Sequence, residues 1–372
     1  MSSIDYTPEL LKFHEQVEKD NFHPLWEAIP KVILQEPKTD AVPYLWKWEL
    51  IKARIMRAGE LVTPERGGER RVLIFENPKL KEKSIYGATT NTLTAAIQLI
   101  FPGEIAPSHR HSQTAIRFVI SGDGAYTSVQ GEKIYLHEGD FLLTPQWAWH
   151  DHGHEGEGPM IWMDGLDIPF VKMMNGTFFE PHPNKVQEVN QFENYSSRRY
   201  ADGMVRPIAD RKRRGYPSPL TTYRWDKTYN ALKSLNELGE ADPFDGVAVE
   251  FFNPANGEAS DQNISSWMQM LRPGEHTKAH RHVYSSIYMV HKGKGHTIIN
   301  GEKFEWSKGD LLVIPTWYWH EHVNESDTEE ALLFSFNDLP IYEKMNLNAE
   351  QEYSENNGYQ KVEKTFIPNL AE

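Results

Sequence analysis

The hydrophobic pattern changes period along the chain. Between residues 7 and 20 apolar positions recur at helical spacing: Leu10, Leu11, Phe13 and Val17 form one stripe, Thr7 is a competent N-cap and Pro8 suits the first helical position. A second helix is predicted over 46–61, with Trp46, Leu50, Ile51 and Ile55 on one face and Gly59 near its end. Beyond residue 90 the period falls to two. Residues 92–101 (TLTAAIQLIF) place Ile97 and Leu99 on one strand face and Thr94, Ala96 and Gln98 on the other. Further strands are predicted over 125–129, 133–136, 141–144 and 160–163, divided by Gly-Asp turns at Gly122-Asp123-Gly124 and Gly139-Asp140. Short strands at this spacing predict a sandwich or barrel. From about 171 to 241 the pattern dissolves into Asn, Pro, Arg and Lys clusters, with a short helix expected at 232–238.

The barrel pattern then recurs. MQMLRPG (268–274) aligns with IQLIFPG (97–103), KAHRH (278–282) with PSHRH (107–111), and GDLLVIPTWYWH (309–320) with GDFLLTPQWAWH (139–150). The offset is 171 residues and falls to 170 by the last histidine. A repeat of this length predicts two β domains of one kind. The tail after Ile341 starts helical and becomes polar and frayed.

Composition narrows the function classes. Lysine and arginine total 39 against 53 acidic residues, a formal charge of −14, which argues against nucleic acid or an anionic membrane as the partner. The basic run Arg211–Arg214 lacks interleaved aromatics and reads as a solvated linker. With no cysteine there are no disulfides, thiolate metal sites or cysteine nucleophiles. The N-terminus has no apolar leader and no stretch is long and apolar enough to span a bilayer, so a cytoplasmic protein is expected.

The candidate chemistry lies between Pro102 and His154. His109 and His111 share a strand face, as do His150 and His152. If their two strands face each other across a barrel, three imidazoles (His109, His111 and His150) converge on a site suited to Fe, Zn, Cu or Ni. Arg117 lies six residues past His111 on the same count of faces, and its planar fork suits a carboxylate. Gln98 points inward from its strand. His152, one strand repeat beyond His150, is the candidate for proton handling, and Asp164 for orienting an arginine or histidine. Asp151 and His154 are expected to be exposed. The run from Glu65 to Arg71 carries Gly67 and Gly68, which permit backbone shapes that turn arginines inward.

The spacing from Gly103 to His111 and from Gly139 to His150 resembles the two conserved motifs of the cupin superfamily, and the repeat makes the chain similar to a bicupin. The general cupin pattern has a glutamate four residues after the second histidine. Here that position is Ala115, and Ser286 in the repeat, so both sites are three-histidine sites. RGGERR (66–71), AAIQ (95–98), HRHSQTAIRFVISGDG (109–124), LLTPQWAWHDHGH (142–154) and MDGLDIPF (163–170) together resemble gentisate 1,2-dioxygenases and their salicylate- and 1-hydroxy-2-naphthoate-cleaving relatives.

The resemblance implies a mainly β bicupin: a helical arm and arginine-glycine loop (1–88), a catalytic cupin barrel (89–172), a linker (173–245), a second barrel (246–345) and a tail (346–372), with a few peripheral helices. It implies Fe(II) on His109, His111 and His150, O2 as co-substrate, and an ortho-hydroxybenzoate such as gentisate. It brings Arg66 and Arg70 to the pocket and places Ala96 near the bound ring, an alanine being more like the gentisate-cleaving members. Homotetramers are common among such bicupins. In the second half His280, His282 and His320 persist. Tyr288, however, replaces Arg117, Trp267 replaces Ala96, and no arginine-glycine loop precedes them, so no turnover is expected there, and the three histidines are left as a candidate second metal site. Competing readings are a metal-dependent cupin isomerase and a non-catalytic storage bicupin. Storage cupins usually lose the histidines that this chain keeps.

Overall fold

The computed structural model describes residues 6–63 and 70–370, apart from the side chains of residues 30 and 31. The chain divides after Lys38 into two compact units. In the first, the helix Pro8–Lys19 starts on Thr7, whose hydroxyl accepts from Leu10 N (3.2 Å). The helix Leu25–Val32 follows, and Trp26 Nε1 donates to His14 Nε2 (3.1 Å). Among the described residues no helix is long and apolar enough to cross a membrane.

The second unit holds two barrels, each a pair of sheets. One sheet of the first barrel runs β12 (Thr222–Tyr223), β8 (Phe141–Thr144), β5 (Ala115–Ser121), β10 (Met160–Leu166), β3 (Thr94–Ile100) and β2 (Arg71–Ile74). The other runs β11 (Phe179–Pro181), β4 (Ile105–His111), β9 (His150–His154), β6 (Ala125–Val129) and β7 (Glu132–Tyr135). The second barrel repeats this. Its sheets run β1 (Tyr44–Trp46), β19 (Leu311–Ile314), β16 (Ser286–Lys292), β21 (Ala331–Asn337), β14 (Ser265–Leu271), β13 (Val247–Glu250), and β22 (Glu350–Glu352), β15 (His280–His282), β20 (His320–Asn324), β17 (Lys294–Ile299), β18 (Glu302–Ser307), β23 (Lys364–Thr365).

Alternation along β5 explains why all of it but Ser121 is buried. Ile116, Phe118 and Ile120 face the second barrel, where Phe118 stacks on Phe334 (4.2 Å, 8°) and Phe141 on Phe251 (4.5 Å, 23°). Each such ring contributes about 1.5–3 kcal/mol by leaving water. Arg117 and Val119 point the other way, into the first barrel. A polar pair flanks this joint. Asp167 accepts from Thr114 N (3.0 Å) and Asn263 Nδ2 (2.7 Å), and at the matching position Asp338 accepts from Ser285 N (2.7 Å) and the Thr92 hydroxyl.

The barrels are also laced crosswise. β1 pairs with β19 of the second barrel, while the helix after it, Trp48–Leu61, packs on β2 and β3 of the first. β12 pairs with β8 of the first barrel, and the following helix, Trp225–Leu238, packs on β13 and β14 of the second. Both helices start on the Gly-Asp motifs: Asp310 accepts from Trp48 N (2.7 Å) and Asp140 from Trp225 N (2.9 Å). A Cβ on Gly309 would lie 2.5 Å from Trp48, and one on Gly139 2.7 Å from Trp225, so these glycines form sockets for the tryptophans as well as turns.

Three local expectations change. The helix predicted from residue 46 begins at Trp48, because Tyr44–Trp46 is a strand. The helix predicted at 232–238 begins seven residues earlier, at Trp225. The tail is not frayed: β22 and β23 add to the second barrel.

Candidate metal centre

The two strands that carry the histidines are neighbours in one sheet rather than opposed across the barrel. β4 pairs antiparallel with β9, His109 lying directly across from His150. Side chains paired across a ladder share a face, so the imidazoles converge from adjacent strands, with ring centroids 4.1 Å (109–150), 4.9 Å (111–150) and 5.4 Å (109–111) apart. One nitrogen from each of the three rings lies within 4.8 Å of the others. Arg117 also reaches this point by another route. The chain turns at residues 112–114 and crosses, so Arg117 projects inward from the facing sheet.

Hydrogen bonds set which nitrogen is bare. His111 Nδ1 lies 2.8 Å from the Gln113 carbonyl and His150 Nδ1 2.9 Å from that of Ala148. A carbonyl only accepts, so Nδ1 carries the proton and Nε2 its lone pair. His109 Nδ1 lies between an acceptor, the Pro107 carbonyl (3.1 Å), and a donor, Arg70 Nη2 (2.5 Å). His150 Nε2 is buried without a hydrogen-bond partner, an arrangement that costs free energy unless an ion takes the lone pair. Burial and neighbouring cations keep the rings neutral: His109 is pushed down to about 3 and His111 to about 4, each mainly by burial. Three neutral imidazoles, two buried and His111 partly so, with an orphaned nitrogen fit a divalent metal.

A cavity of ≈ 230 Å³ opens beside the triad. Arg70, Gln98, Arg117, His152, Asp164 and Phe179 line it, and Ala96 leaves room in its floor. Arg117 is buried and pairs through Nε with Asp164 Oδ1 (3.0 Å), while its Nη1 donates to the Thr144 hydroxyl. Asp164 also accepts from Trp162 Nε1 (3.2 Å). Burial raises its carboxyl to about 6, against the pull of Arg117. Arg70 donates to the Pro107 carbonyl (2.7 Å), against His109. His152 is held neutral, first by burial and then by Arg117, and its Nδ1 lies 2.8 Å from the Thr127 hydroxyl. A larger hollow of ≈ 330 Å³ on the outside of this barrel surrounds the Arg199–Asp210 ion pair (2.8 Å), and its lining has no histidine.

The candidate residues among the described ones thus gather. Arg66 lies outside the described residues. Asp151 and His154, expected at the surface, are buried: Asp151 accepts from Gln187 N (3.0 Å), and His154 Nε2 meets the Gly158 carbonyl (2.7 Å). Sequence reasoning missed Phe179, Thr127 and Thr144. Phe179 comes from a three-residue edge strand with no periodic signal, and its ring lies 5.2 Å from that of His109.

In the second barrel His280, His282 and His320 converge in the same way, and His320 Nε2 is likewise buried without a partner. The surroundings differ. In the registers that hold Ala96, Arg117 and Asp164 stand Trp267, Tyr288 and Ser335. Tyr284 stacks on His282 (3.5 Å, 4°). Asp245 is held by Gln269 Nε2 (2.7 Å), and burial raises its carboxyl to about 7.

The Cupin domain family model matches residues 96–168 and 267–336. The chain is 40% identical over 339 residues to gentisate 1,2 dioxygenase 1 of Aquipseudomonas alcaligenes, covering 91% of this chain and 95% of that one. It is 37% identical to 5-aminosalicylate 1,2-dioxygenase of Comamonas sp, over 97% and 95%. The crystal structure of salicylate 1,2-dioxygenase from Pseudaminobacter salicylatoxidans matches with a TM-score of 0.85 at 34% identity, over 94% of this chain and 99% of that one. A structure of that enzyme in adducts with gentisate matches with the same TM-score, over 94% and 95%.

Proposed function

This chain belongs to the gentisate 1,2-dioxygenase family of metal-dependent, ring-cleaving bicupin enzymes, and we propose that it cleaves gentisate between the carboxyl- and hydroxyl-bearing carbons, with Fe(II) and O2, to give maleylpyruvate. One arrangement carries this reading: three neutral imidazoles meet beside a cavity walled by two guanidinium groups. His109, His111 and His150 hold the iron. When bound, it supplies open positions for an ortho-hydroxybenzoate and O2, and the electrons that activate O2.

The protein's own groups then act on the substrate. A donor set without a carboxylate leaves the ion's charge uncompensated, which favours a substrate bringing carboxylate and phenolate oxygens together. Arg117, fixed by Asp164, and Arg70 hold the carboxylate. Arg66 joins them in the reading by resemblance. Gln98 hydrogen-bonds a substrate oxygen, and Ala96 leaves space for the ring. His152, neutral and steadied by Thr127, takes or returns a proton at the ring hydroxyl. A cavity of about 150 Å³ accommodates benzene, so ≈ 230 Å³ suits one ring bearing oxygens better than two fused rings.

The second triad binds a metal without turnover, because Trp267 and Tyr288 occupy the space and charge that the substrate needs. Assembly as a homotetramer in the cytoplasm belongs to the same reading. It is supported by exposed Phe192, Met204 and Ile208 and by the absence of cysteine. Oxygen uptake with gentisate, salicylate and 1-hydroxy-2-naphthoate, alongside absorbance of the ring-fission product, tests it. Gentisate gives the highest kcat/KM. Preference for either other acid overturns the substrate assignment, and turnover without O2 consumption overturns the reaction.

A further inference from the structure

The strands that carry the histidines are joined by a sparse ladder. β4 and β9 share three register pairs, interrupted by an irregularity between Ala106 and His109, so His109–His150 stands alone at the ligand end. β15 and β20 share one pair, His280–His320. On the outer face of each barrel, directly behind these pairs, a side-chain cluster spans the same strands.

In the first barrel Arg110 sits between the two ligands of β4 and points outward. Its guanidinium lies 4.7 Å from the ring centre of Trp149, the residue before His150. Its Nε donates to Glu180 Oε2 (2.6 Å) on β11, and Trp149 meets His182 edge-on (4.7 Å, 89°). In the second barrel Arg281 sits between His280 and His282. It lies 4.4 Å from the ring centre of Trp319, the residue before His320, and 4.5 Å from that of Trp317. Its Nε and Nη2 donate to Gln351 Oε1 (2.9 and 2.6 Å) on β22, and Trp319 meets Tyr353 edge-on (5.1 Å, 75°). Glu180 and Gln351 occupy the same register against their arginines. The same stacking of an arginine on an indole, with an oxygen acceptor on the edge strand, therefore recurs in both barrels.

We propose that Arg110 is a positioning residue: clamped between Trp149 and an acceptor on β11, it holds the β4 and β9 ligands at metal-binding distance where ladder hydrogen bonds are too few to do so. The clasp requires a planar cation over an indole and an oxygen acceptor at residue 180. The inference rests on the triad binding Fe(II), and the test separates the two.

The experiment measures Fe(II) affinity anaerobically, by competition with a chromogenic chelator, in the full-length His280→Ala/His282→Ala protein so that only the first triad reports. If this parent binds no Fe(II), the metal assignment itself fails. If it binds, Arg110→Ala and Glu180→Ala each weaken affinity about tenfold or more, the range seen when groups that orient metal ligands are removed. Arg110→Lys loses part of this, and Glu180→Gln, which keeps an oxygen acceptor, loses less than Glu180→Ala. The melting temperature of the metal-free protein stays near the parent's, because Arg110 and Glu180 are about one-third exposed. Unchanged affinity in the two alanine variants overturns the clasp. So does a Glu180→Gln variant as weak as Glu180→Ala, or an affinity loss matched by a collapse of the metal-free melting temperature.

Discussion

Replacing Arg117 by methionine separates what the buried ion pair does for folding from what it does for substrate. Arg117 and Asp164 are 4% and 5% exposed and 3.0 Å apart. Removing the guanidinium strands a carboxyl that burial already holds at about 6, and the lost partner drives it further up. Breaking a buried pair from one side costs about 3–5 kcal/mol. At roughly 2–4 °C per kcal/mol for a unit of this size, the lower bound lowers the melting temperature of the metal-free protein by about 6–12 °C. The double variant Arg117→Met/Asp164→Asn removes both charges, as Tyr288 and Ser335 do in the second barrel, and recovers most of that loss. Activity does not recover, because hydrogen bonds to a charged group contribute about 1.5–3 kcal/mol and kcat/KM for gentisate falls roughly 10- to 150-fold in both variants. Thermal unfolding and steady-state oxygen uptake on the same preparations measure the two effects. A double variant melting at the sum of the single losses, or a single variant with undiminished kcat/KM, refutes the reasoning.

Three further outcomes follow from the same geometry. His280→Ala/His282→Ala keeps turnover per iron at the first triad, and a large loss in a folded protein counts against a non-catalytic second barrel. Ala96→Leu, which narrows the cavity toward what Trp267 does in the repeat, raises KM for gentisate about tenfold or more while iron content stays the same; unchanged KM removes Ala96 from the ring's surroundings. Burial raises the carboxyls of Asp167 to about 7 and Asp338 to about 6, from 3.8. A folded value above the unfolded one favours the protonated fold, so this contribution is full below pH 3.8 and lost as pH rises through about 7. The melting temperature of the metal-free protein therefore falls across that window, and Asp167→Asn flattens the slope; an unaltered slope rejects the assignment.

Much of the site is legible in the sequence because strand alternation states which side chains share a face, and the 171-residue repeat singles out the histidines that recur. Alternation does not say which strand lies beside which. Hence His109 and His150 meet as ladder neighbours, and Arg117 reaches them from the facing sheet. The crosswise lacing is invisible locally, since β1 and β12 are three and two residues long and below any periodic signal. The start of the helix at Trp225 is hidden for a related reason: its cap is Asp140, 85 residues earlier, where the motif reads as a turn. Asp151 shows the converse. It looks like a surface residue between two inward histidines, yet it is buried because the segment through Gln187 crosses the outer face of the sheet.

The central claim is that the three N-terminal imidazoles hold one ion on which an aromatic acid docks. Anaerobic titration of the His280→Ala/His282→Ala protein with Fe(II), followed by gentisate binding with and without the metal, tests it most directly. The account predicts one Fe(II) per chain, lost on adding His150→Ala, and gentisate binding that depends on that iron. Gentisate binding equally well to the metal-free protein, or a full equivalent of Fe(II) retained without His150, would contradict it.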